Sequence, residues 1–355
     1  MRLRRELGTA FAVVSAIVGA GFASGREIVT FFTCAGWASW LGVAAATGLL
    51  GALTAMLAAL ARRGGARSFP GIYAAAMGRE CGEAIQLLHG VTMLLTATVM
   101  LAAGGELGAL ALPFRYAYPI ALAATLLLGL VLARRDFRLL QGLGALLAPA
   151  MFVYYLCLAL DGSPAPRPYL AAEVTVDLSG NVVAACFLGA LYAALNAAMS
   201  GGVLAALAHG VLRPRRVGLL TGALLLALLV PANAALLRAG EGVRALALPG
   251  VVLAARWGTT GFYASVLVMW LSVLSTLAAA LGSLRGQAAE VGLKPRLAVL
   301  AASLAALCLS VVGFQPLVRV GYPVLGWICA VTLLALVPFL REDEPADSVN
   351  SSREG

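Results

Sequence analysis

Long apolar runs with almost no charge fill most of this sequence, and they decide what it can fold into. A membrane-spanning helix needs about 20 consecutive apolar residues. Ten runs of suitable length can be drawn, over residues 7–34, 37–61, 84–113, 116–133, 139–160, 182–211, 217–237, 258–284, 297–314 and 320–340. Only 12% of the residues are charged, against roughly 25% in a soluble domain. The chain is therefore predicted to be an all-α integral membrane protein, and soluble fold classes are excluded.

The basic residues predict the orientation of these helices, because cytoplasmic loops carry an excess of Lys and Arg. With ten spans, both termini lie on one side of the membrane. Most of the 25 basic residues fall in the tails and loops of that side: Arg2, Arg4, Arg5, Arg62, Arg63, Arg67, Arg79, Arg134, Arg135, Arg138, Arg213, Arg215, Arg216, Arg285, Lys294, Arg296, Arg341 and Arg353. The opposite side holds Arg115, Arg167, Arg238, Arg244, Arg256 and Arg319. Both termini are predicted to be cytoplasmic, and the net charge of +9 reflects topology rather than a nucleic-acid partner.

The ten spans divide into two halves of five. Residues 1–160 form the first five-helix repeat and residues 182–341 the second. An external linker, residues 161–181, joins them, and residues 342–355 are predicted to be a disordered cytoplasmic tail. A five-helix repeat that begins in the cytoplasm ends outside, so the second copy must enter the membrane upside down. This inverted repeat is typical of secondary transporters, whose binding sites lie where helices are broken near the membrane midplane.

Glycines interrupt the first span at the expected depth. The stretch from Gly19 to Gly25 reads Gly-Ala-Gly-Phe-Ala-Ser-Gly, and Arg26 and Glu27 follow it directly. Non-helical backbone inside a membrane is tolerated only where it is buried in protein or lines a cavity. The alternative is that Gly21 and Gly25 form a small-xxx-small packing motif, but packing leaves two mid-membrane charges unexplained. We therefore predict a broken first helix beside a functional cavity.

A matching break is predicted in the sixth span, on weaker grounds. The same depth in that span holds Tyr192 and Asn196, followed by Gly201 and Gly202. Tyr192 and Asn196 lie four residues apart, so they share one face of a helix. The alternative interpretation is that both side chains simply link neighbouring helices through hydrogen bonds.

The block from Gly19 to Phe32 resembles the first-helix signature of bacterial YkvI-type membrane proteins, a branch of the amino acid/polyamine/organocation (APC) transporter superfamily. Residues 191–196 are less similar to the sixth helix of that family, because Leu195 stands where a second aromatic residue is expected. The resemblance covers the whole ten-span region. It implies a LeuT-like fold with a 5+5 inverted repeat and helices 1 and 6 broken, a bacterial inner-membrane location, and an amino-acid-like or organic-cation substrate.

Broken helices expose backbone N–H groups and carbonyl groups whose partial charges complement a zwitterion or an ion. The N–H groups of residues 22–26 are predicted to face a substrate carboxylate, with the Ser24 hydroxyl as a further donor. Tyr192 and Asn196 are predicted to complete the site from the other half. The predicted substrate-binding residues are Gly19, Gly21, Phe22, Ser24, Gly25, Tyr192 and Asn196.

Ion coupling has two alternative sites. In the eighth span, Ser272, Ser275 and Thr276 lie at positions i, i+3 and i+4 of one helix face, and hydroxyl oxygens suit a hard cation. Ser275 and Thr276 resemble the hydroxyl pair that forms a sodium site with first-helix carbonyls in LeuT-like transporters. The alternative for these hydroxyl groups is bonding to carbonyls of their own helix.

Proton coupling is the other alternative, through Glu27 or Glu106, the acids well inside the predicted spans. Burial favours the neutral, protonated form of a carboxyl group. Glu27 is the better proton carrier, whereas Glu106 is the better partner for a gating ion pair with Arg26. Both carboxyl groups can equally be interpreted as buried polar groups with structural partners.

Residues 245–255 form an apolar stretch that is too short to cross the membrane. We predict that it is an external hairpin that caps the transport pathway. The alternative is a peripheral segment that lies on the bilayer surface.

The sequence as a whole predicts a secondary active transporter of a small solute, an amino acid or a related amine, coupled to sodium or protons. A ligand sensor with a transporter fold and no net transport is the alternative. An intramembrane enzyme would need a nucleophile with a base, or a metal motif such as H-E-x-x-H, and neither is present, so no enzyme is predicted. The expected partners are a small-molecule substrate and the lipid bilayer; sodium is the one cofactor considered, and the oligomeric state is left open.

Overall fold

A computed structural model describes residues 2–134, 137–161, 178–211 and 213–340 of the chain. The described residues are almost entirely helical and contain no β-strand. The α-helices are α1 (Arg2–Ile17), α2 (Ala20–Ser24), α3 (Arg26–Phe31), α4 (Ser39–Arg63), α5 (Phe69–Met77), α6 (Arg79–Ala111), α7 (Ala117–Leu132), α8 (Phe137–Leu160), α9 (Val182–Ala208), α10 (Pro214–Arg238), α11 (Glu241–Arg244), α12 (Pro249–Ala254), α13 (Gly258–Glu290), α14 (Pro295–Leu309), α15 (Phe314–Pro316) and α16 (Tyr322–Ala335). Short 3-10 helices occupy Thr33–Ala38, Ala255–Trp257, Ser310–Val312 and Pro338–Leu340, and one π-helical turn occupies Leu317–Gly321.

The helices account for the ten predicted spans. Within the described residues, seven helical stretches are long and apolar enough to cross a membrane: Thr33–Arg63, Arg79–Ala111, Val182–Ala208, Pro214–Arg238, Pro249–Glu290, Pro295–Val312 and Phe314–Ala335. The fourth and fifth predicted spans correspond to the shorter apolar helices Ala117–Leu132 and Leu146–Leu160. The first predicted span is divided among α1, α2 and α3. The chain is a multi-pass membrane protein, as predicted.

The predicted break in the sixth span was wrong, because α9 runs without interruption from Val182 to Ala208. At the predicted position the sequence consists mainly of Ala and Leu, which are strong helix formers. The side-chain amide of Asn196 also donates a hydrogen bond to the carbonyl of Tyr192, one turn earlier, at 2.9 Å. The Asn196 side chain therefore bonds within a continuous helix instead of marking a break.

Helices from equivalent positions of the two halves pack together in two groups. The first group contains the broken first span, α4, α9 and α10, which are spans 1, 2, 6 and 7; α1 and α4 each pack against both α9 and α10. The second group contains α6, α7, α13 and α14, which are spans 3, 4, 8 and 9; α13 packs against the other three. Positions 1 and 2 of each half thus share one group and positions 3 and 4 the other, a grouping compatible with the predicted inverted repeat.

Small residues allow close approach within the first group. A side chain at Gly189 of α9 would collide with the carbonyl group of Gly42 in α4. A side chain at Gly51 of α4 would lie 2.9 Å from the carbonyl oxygen of Gly218 in α10. Helix association in membranes depends on such van der Waals contact between small residues. The second span is therefore held tightly between the sixth and the seventh.

One face of the molecule, which we call the N-terminal face, carries the start of α1 and the ends of α4 and α9. The guanidinium group of Arg62, at the end of α4, donates a hydrogen bond to the Val211 carbonyl at 3.1 Å. Val211 follows α9 and packs against Ala10 of α1. The start of α1 and the ends of α4 and α9 therefore lie on one side, as the predicted alternation of spans requires.

The opposite face carries the end of α3, the end of α8 and the start of α9. The backbone N–H of Leu178 donates to the Cys34 carbonyl at 3.0 Å, just before α9 begins. The indole N–H of Trp257 donates to Asp161, just after α8, at 3.0 Å. Residues 162–177 of the predicted linker and the predicted tail, residues 342–355, lie outside the described residues.

Candidate functional site

The first span is interrupted at two positions, as predicted for a broken helix. α1 ends at Ile17, and Gly19 is extended with φ −101° and ψ −170°. The five-residue helix α2 then ends at Gly25, which has a left-handed conformation with φ 79°, and α3 begins at Arg26. Glycine adopts this conformation without the steric penalty that other residues meet. The glycine-rich block therefore creates two changes of chain direction inside the membrane.

The second interruption is enclosed by α8 and α12. A side chain at Gly25 would lie 3.2 Å from the hydroxyl oxygen of Tyr155 and 3.3 Å from the backbone nitrogen of Gly250. The Tyr155 hydroxyl lies 2.9 Å and 3.1 Å from the carbonyl oxygens of Phe22 and Ala23, to which it can donate. Tyr155 was missed by the sequence analysis. The signal for it was a pair of tyrosines in the middle of the otherwise apolar fifth span.

We expect Tyr155→Phe to destabilise the broken helix, because the Phe22 and Ala23 carbonyls lose the hydroxyl group that they share. Of the two, only the Phe22 carbonyl keeps a backbone donor among the described residues, the Gly25 N–H. The expected loss is about 1–3 kcal/mol of unfolding free energy, measured as a lower midpoint of thermal unfolding in detergent. Tyr154→Phe is the matched control, since the Tyr154 hydroxyl donates to the Gly250 carbonyl of α12 and not to the break. An equal loss in both variants would contradict a specific role for Tyr155.

The backbone donors predicted to face a substrate carboxylate are largely engaged within the chain. The N–H groups of Ala23 and Gly25 donate to the carbonyls of Gly19 and Phe22. The Ser24 hydroxyl donates to the Gly21 carbonyl at 2.9 Å and accepts from the Arg26 N–H at 3.0 Å. In this conformation, a carboxylate at the break would have to replace these bonds.

Residues 245–255 lie against the break and not on the periphery. Helix α12 is buried along most of its length, and a side chain at Gly250 would lie 2.9 Å from the Ser24 carbonyl. The buried guanidinium group of Arg26 donates to the carbonyls of Arg244 and Leu246, at 3.0 Å and 3.3 Å. Arg26 therefore attaches the broken helix to this segment, which covers the break as predicted; its external position and its capping of a transport pathway stay predictions.

Glu27 lies on the inner side of α3 and is 7% exposed. Its carboxyl group is packed so closely against Gly21 that any side chain at residue 21 would collide with it. Burying an ionised carboxylate without a cation is costly. This environment therefore suits a protonated Glu27 or one that binds a cation.

Tyr192 and Asn196 are both buried, but the structure uses them differently. The ring of Tyr192 packs edge-on against Phe31 and Phe32, with centroids 5.4 Å and 5.0 Å away. Its hydroxyl group is buried with no hydrogen-bond partner in the described part of the chain. The structure thus places Tyr192 beside the outer part of the broken span, whereas Asn196 bonds to its own helix.

The structure brings the predicted sodium ligands close to the first interruption. The Ser272 hydroxyl lies 3.5 Å from the Val18 carbonyl oxygen, at the end of α1. The Thr276 hydroxyl oxygen would lie 3.0 Å from a Cβ at Gly19, so the hydroxyl packs on the backbone of the break. Hydroxyl and carbonyl oxygens of this kind are the ligands that a sodium ion takes. Ser275, on the same helix, lines the adjacent cavity.

A cavity of about 790 Å³ extends from the N-terminal face to this point. Its inner end is formed by Val18, Ser275 and Thr276, and its outer end includes Arg5 and Arg285. The walls come from α1, α6, α9 and α13, and they include Ser15, His89, Met93, Thr96, Met199, Gly202 and Val203. None of the seven predicted substrate-binding residues lines this cavity. The structure therefore separates the accessible space from the tightly packed second interruption.

Glu106 lies in α6 and is partly buried. Its proposed ion pair with Arg26 stays a prediction. The observed bonds from Arg26 to the carbonyls of Arg244 and Leu246 give that arginine a structural role in addition to any gating role.

Comparison with known proteins finds similarity in sequence and in fold. No family model matches the chain. It is 24% identical over 334 residues to "Uncharacterized membrane protein YkvI" of Bacillus subtilis (strain 168), covering 92% of this chain and 94% of that protein. Its structure is similar to that of MhsT in complex with L-phenylalanine, with a TM-score of 0.59, 14% identity, and coverage of 93% and 86% of the two chains. It is also similar to a mutant of the Eremococcus coleocola manganese transporter, with a TM-score of 0.54, 14% identity, and coverage of 94% and 76%.

These similarities confirm the predicted fold class, an all-α membrane protein with a LeuT-like fold. They also confirm the resemblance to a YkvI-type membrane protein. The three proteins named above are a membrane protein, MhsT and a manganese transporter, which agrees with the prediction that this chain is not an enzyme. At 14% identity, the two solved structures show the fold alone. They do not identify the substrate or the coupling ion of this chain.

Proposed function

We propose that this protein is a secondary active transporter of a small solute, an amino acid or a related amine, within the APC superfamily. One observation carries the proposal: the first helix is broken at Gly19, directly beside Ser272 and Thr276 of α13, at the inner end of a 790 Å³ cavity. Backbone that is non-helical at membrane depth is expected where it lines a cavity or a binding site.

The arrangement corresponds to one state of an alternating-access cycle. The cavity extends from the N-terminal face, while α12 and the bonds from Arg26 cover the break from the opposite face. We place the N-terminal face in the cytoplasm of a bacterial cell, because the basic residues concentrate on that side. On this assignment the structure is inward-facing, with solute entering or leaving through the cavity.

Sodium is the coupling ion that the geometry favours. The Val18 carbonyl is freed by the break and lies beside the hydroxyl groups of α13, so a cation there would join the first group of helices to the second. Such a cation would also join the two sets of helices that move relative to each other in alternating access. Proton coupling through Glu27 is the alternative, supported by the buried position of that carboxyl group at the other interruption.

Purified protein in liposomes tests the proposal directly. We expect labelled amino acids to accumulate when an inward sodium gradient is imposed, and not when potassium or choline replaces sodium. Empty liposomes and liposomes with collapsed gradients are the controls. Binding of an amino acid without accumulation under either a sodium or a proton gradient would contradict transport and favour a sensor built on a transporter fold.

Glu27→Gln separates the two coupling ions. Glutamine is neutral and similar in size to a protonated glutamate, so the variant should fold and keep the contact with Gly21. If sodium is the coupling ion, we expect sodium-driven uptake to stay within about threefold of the unmodified protein, a difference of less than 1 kcal/mol. Loss of uptake in Glu27→Gln, together with uptake driven by a pH gradient alone in the unmodified protein, would show that the proton, and not sodium, is the coupling ion.

A further inference from the structure

The cavity wall contains a buried histidine that no part of the proposed mechanism uses. His89 of α6 is 8% exposed and lines the cavity. Its ring packs at a tilt against Phe69, with centroids 5.5 Å apart, so the imidazole is held in place by its neighbour. No hydrogen bond to the imidazole is found within the described residues. Buried polar groups are normally hydrogen-bonded, so an unpartnered imidazole in a cavity wall points to a ligand.

A second unpartnered polar group lies in the same cavity. The Ser15 hydroxyl of α1 is buried and has no hydrogen-bond partner in the part of the chain that the structure describes, and Ser15 lines the cavity. His89 and Ser15 thus offer an N–H and an O–H donor from two different helices. A neutral imidazole has one N–H donor, and a serine hydroxyl has one O–H donor.

The described residues that line the cavity carry charges of a single sign. Among them, Arg5 and Arg285 are the charged residues, and none is Asp or Glu. Low-dielectric walls of one charge sign concentrate ions of the opposite sign. A carboxylate that enters the outer and middle part of this space meets two guanidinium groups, the His89 imidazole and the Ser15 hydroxyl group, whereas a simple amine meets like charge; the oxygen ligands proposed for sodium, at Val18, Ser275 and Thr276, lie at the inner end.

We propose that the cavity is a binding site for the carboxylate group of the transported solute, with His89 and Ser15 as hydrogen-bond donors and Arg5 and Arg285 as the attracting charges. The inference rests on the proposed transport function and deepens it. It places carboxylate recognition in the cavity, not at the N–H groups of the break, most of which are already bonded within the chain. It also assigns the solute to carboxylate-bearing compounds over simple amines and metal cations.

Matched pairs of ligands test this assignment on the full-length protein in detergent. Each pair shares one apolar group and differs in the charged group: 3-phenylpropionate with phenethylamine, and 4-methylpentanoate with isoamylamine. Isothermal titration calorimetry measures the affinity for each compound and for Mn²⁺. We expect at least one acid to bind and to exceed its matched amine in affinity by about tenfold or more, as expected for charge-assisted hydrogen bonds.

Variants of the cavity distinguish this site from binding elsewhere. His89→Ala and the double variant Arg5→Ala/Arg285→Ala should each weaken binding of the acid by about tenfold. His89→Gln keeps an N–H donor and should restore most of the affinity lost in His89→Ala, which also controls for folding. Arg215→Ala is the matched control, since Arg215 is exposed on the same face but does not line the cavity.

The outcomes separate this inference from the proposed function. Equal or tighter binding of the amines or Mn²⁺, no binding of either acid, or unchanged affinity in the cavity variants would overturn the carboxylate site. Gradient-driven uptake of an amine, combined with any of these results, would leave the transporter proposal standing. Binding of the acids with the expected losses in the variants, but no uptake under any gradient, would support the site and contradict transport.

Discussion

Gly21→Ala should abolish uptake while leaving the protein able to insert and fold. A methyl group at residue 21 would occupy the position of the Glu27 carboxyl group, so either α3 or the Glu27 side chain must move. Gly21 belongs to α2, which directly follows the Val18 carbonyl of the proposed sodium site, and a displacement of about 1 Å at such a site can reduce activity by about a hundredfold. Uptake into liposomes, normalised to the amount of reconstituted protein, measures the effect. Gly21→Leu should have the same result, because the collision begins at Cβ.

Two controls separate this collision from a general effect of replacing glycine. A methyl group at Gly48 of α4 or Gly286 of α13 would have no atom within 4 Å, and neither residue lines the cavity, so Gly48→Ala and Gly286→Ala should transport normally. Combining Gly21→Ala with Glu27→Ala removes the colliding carboxyl group and should restore the thermal stability lost in the single variant. Uptake by Gly21→Ala at the level of the unmodified protein would show that the geometry of the break is not required.

Removing the two adjacent hydroxyl groups of α13 should eliminate the response to sodium. Ser275→Ala/Thr276→Ala removes the Thr276 hydroxyl that packs on Gly19 and the adjacent Ser275 hydroxyl. The Val18 carbonyl and the Ser272 hydroxyl remain, and these oxygens are too few to replace the hydration shell of the ion. A ligand at a hundred times its dissociation constant stabilises a protein by about 2.7 kcal/mol. We therefore expect sodium to raise the unfolding midpoint of the unmodified protein but not that of the double variant, and uptake should lose its sodium dependence.

The matched control for this experiment is Ser265→Ala in the same helix. The Ser265 hydroxyl is buried and donates to the Phe262 carbonyl of its own helix at 2.7 Å, so its loss should not affect sodium. Sodium stimulation that survives in Ser275→Ala/Thr276→Ala would exclude this site. Uptake driven by a pH gradient alone in the unmodified protein, together with loss of uptake in Glu27→Gln, would identify the proton as the coupling ion.

The sequence predicted the helical segments well because each signal is local. Apolar runs of about 20 residues, bounded by arginines, define where a helix crosses the membrane. The glycine block was also a local signal, since Gly25 adopts a left-handed conformation and Gly19 an extended one in the structure. Asn196 shows where this reasoning failed. Its side chain was interpreted as part of a break, whereas it bonds to the Tyr192 carbonyl of its own helix.

Contacts between distant segments could not be predicted from local patterns. Tyr155 reaches the carbonyls of Phe22 and Ala23 across more than a hundred residues of sequence, and its role depends on how α8 packs against the break. His89 is a single histidine in an apolar span, and only the packing of α1, α6, α9 and α13 places it in a cavity wall.

By itself, the sequence determined that the chain crosses the membrane many times, where its first helix breaks, and which residue types could bind an ion. Hydrophobic length, charge asymmetry and glycine content act locally, so they can be interpreted without knowing the neighbours. The tertiary structure decided that the sixth span is continuous, that Arg26 bonds to the covering segment, and that the open space ends at Val18 and Thr276. These properties depend on which helices lie side by side, and helix packing joins residues that are far apart in the sequence.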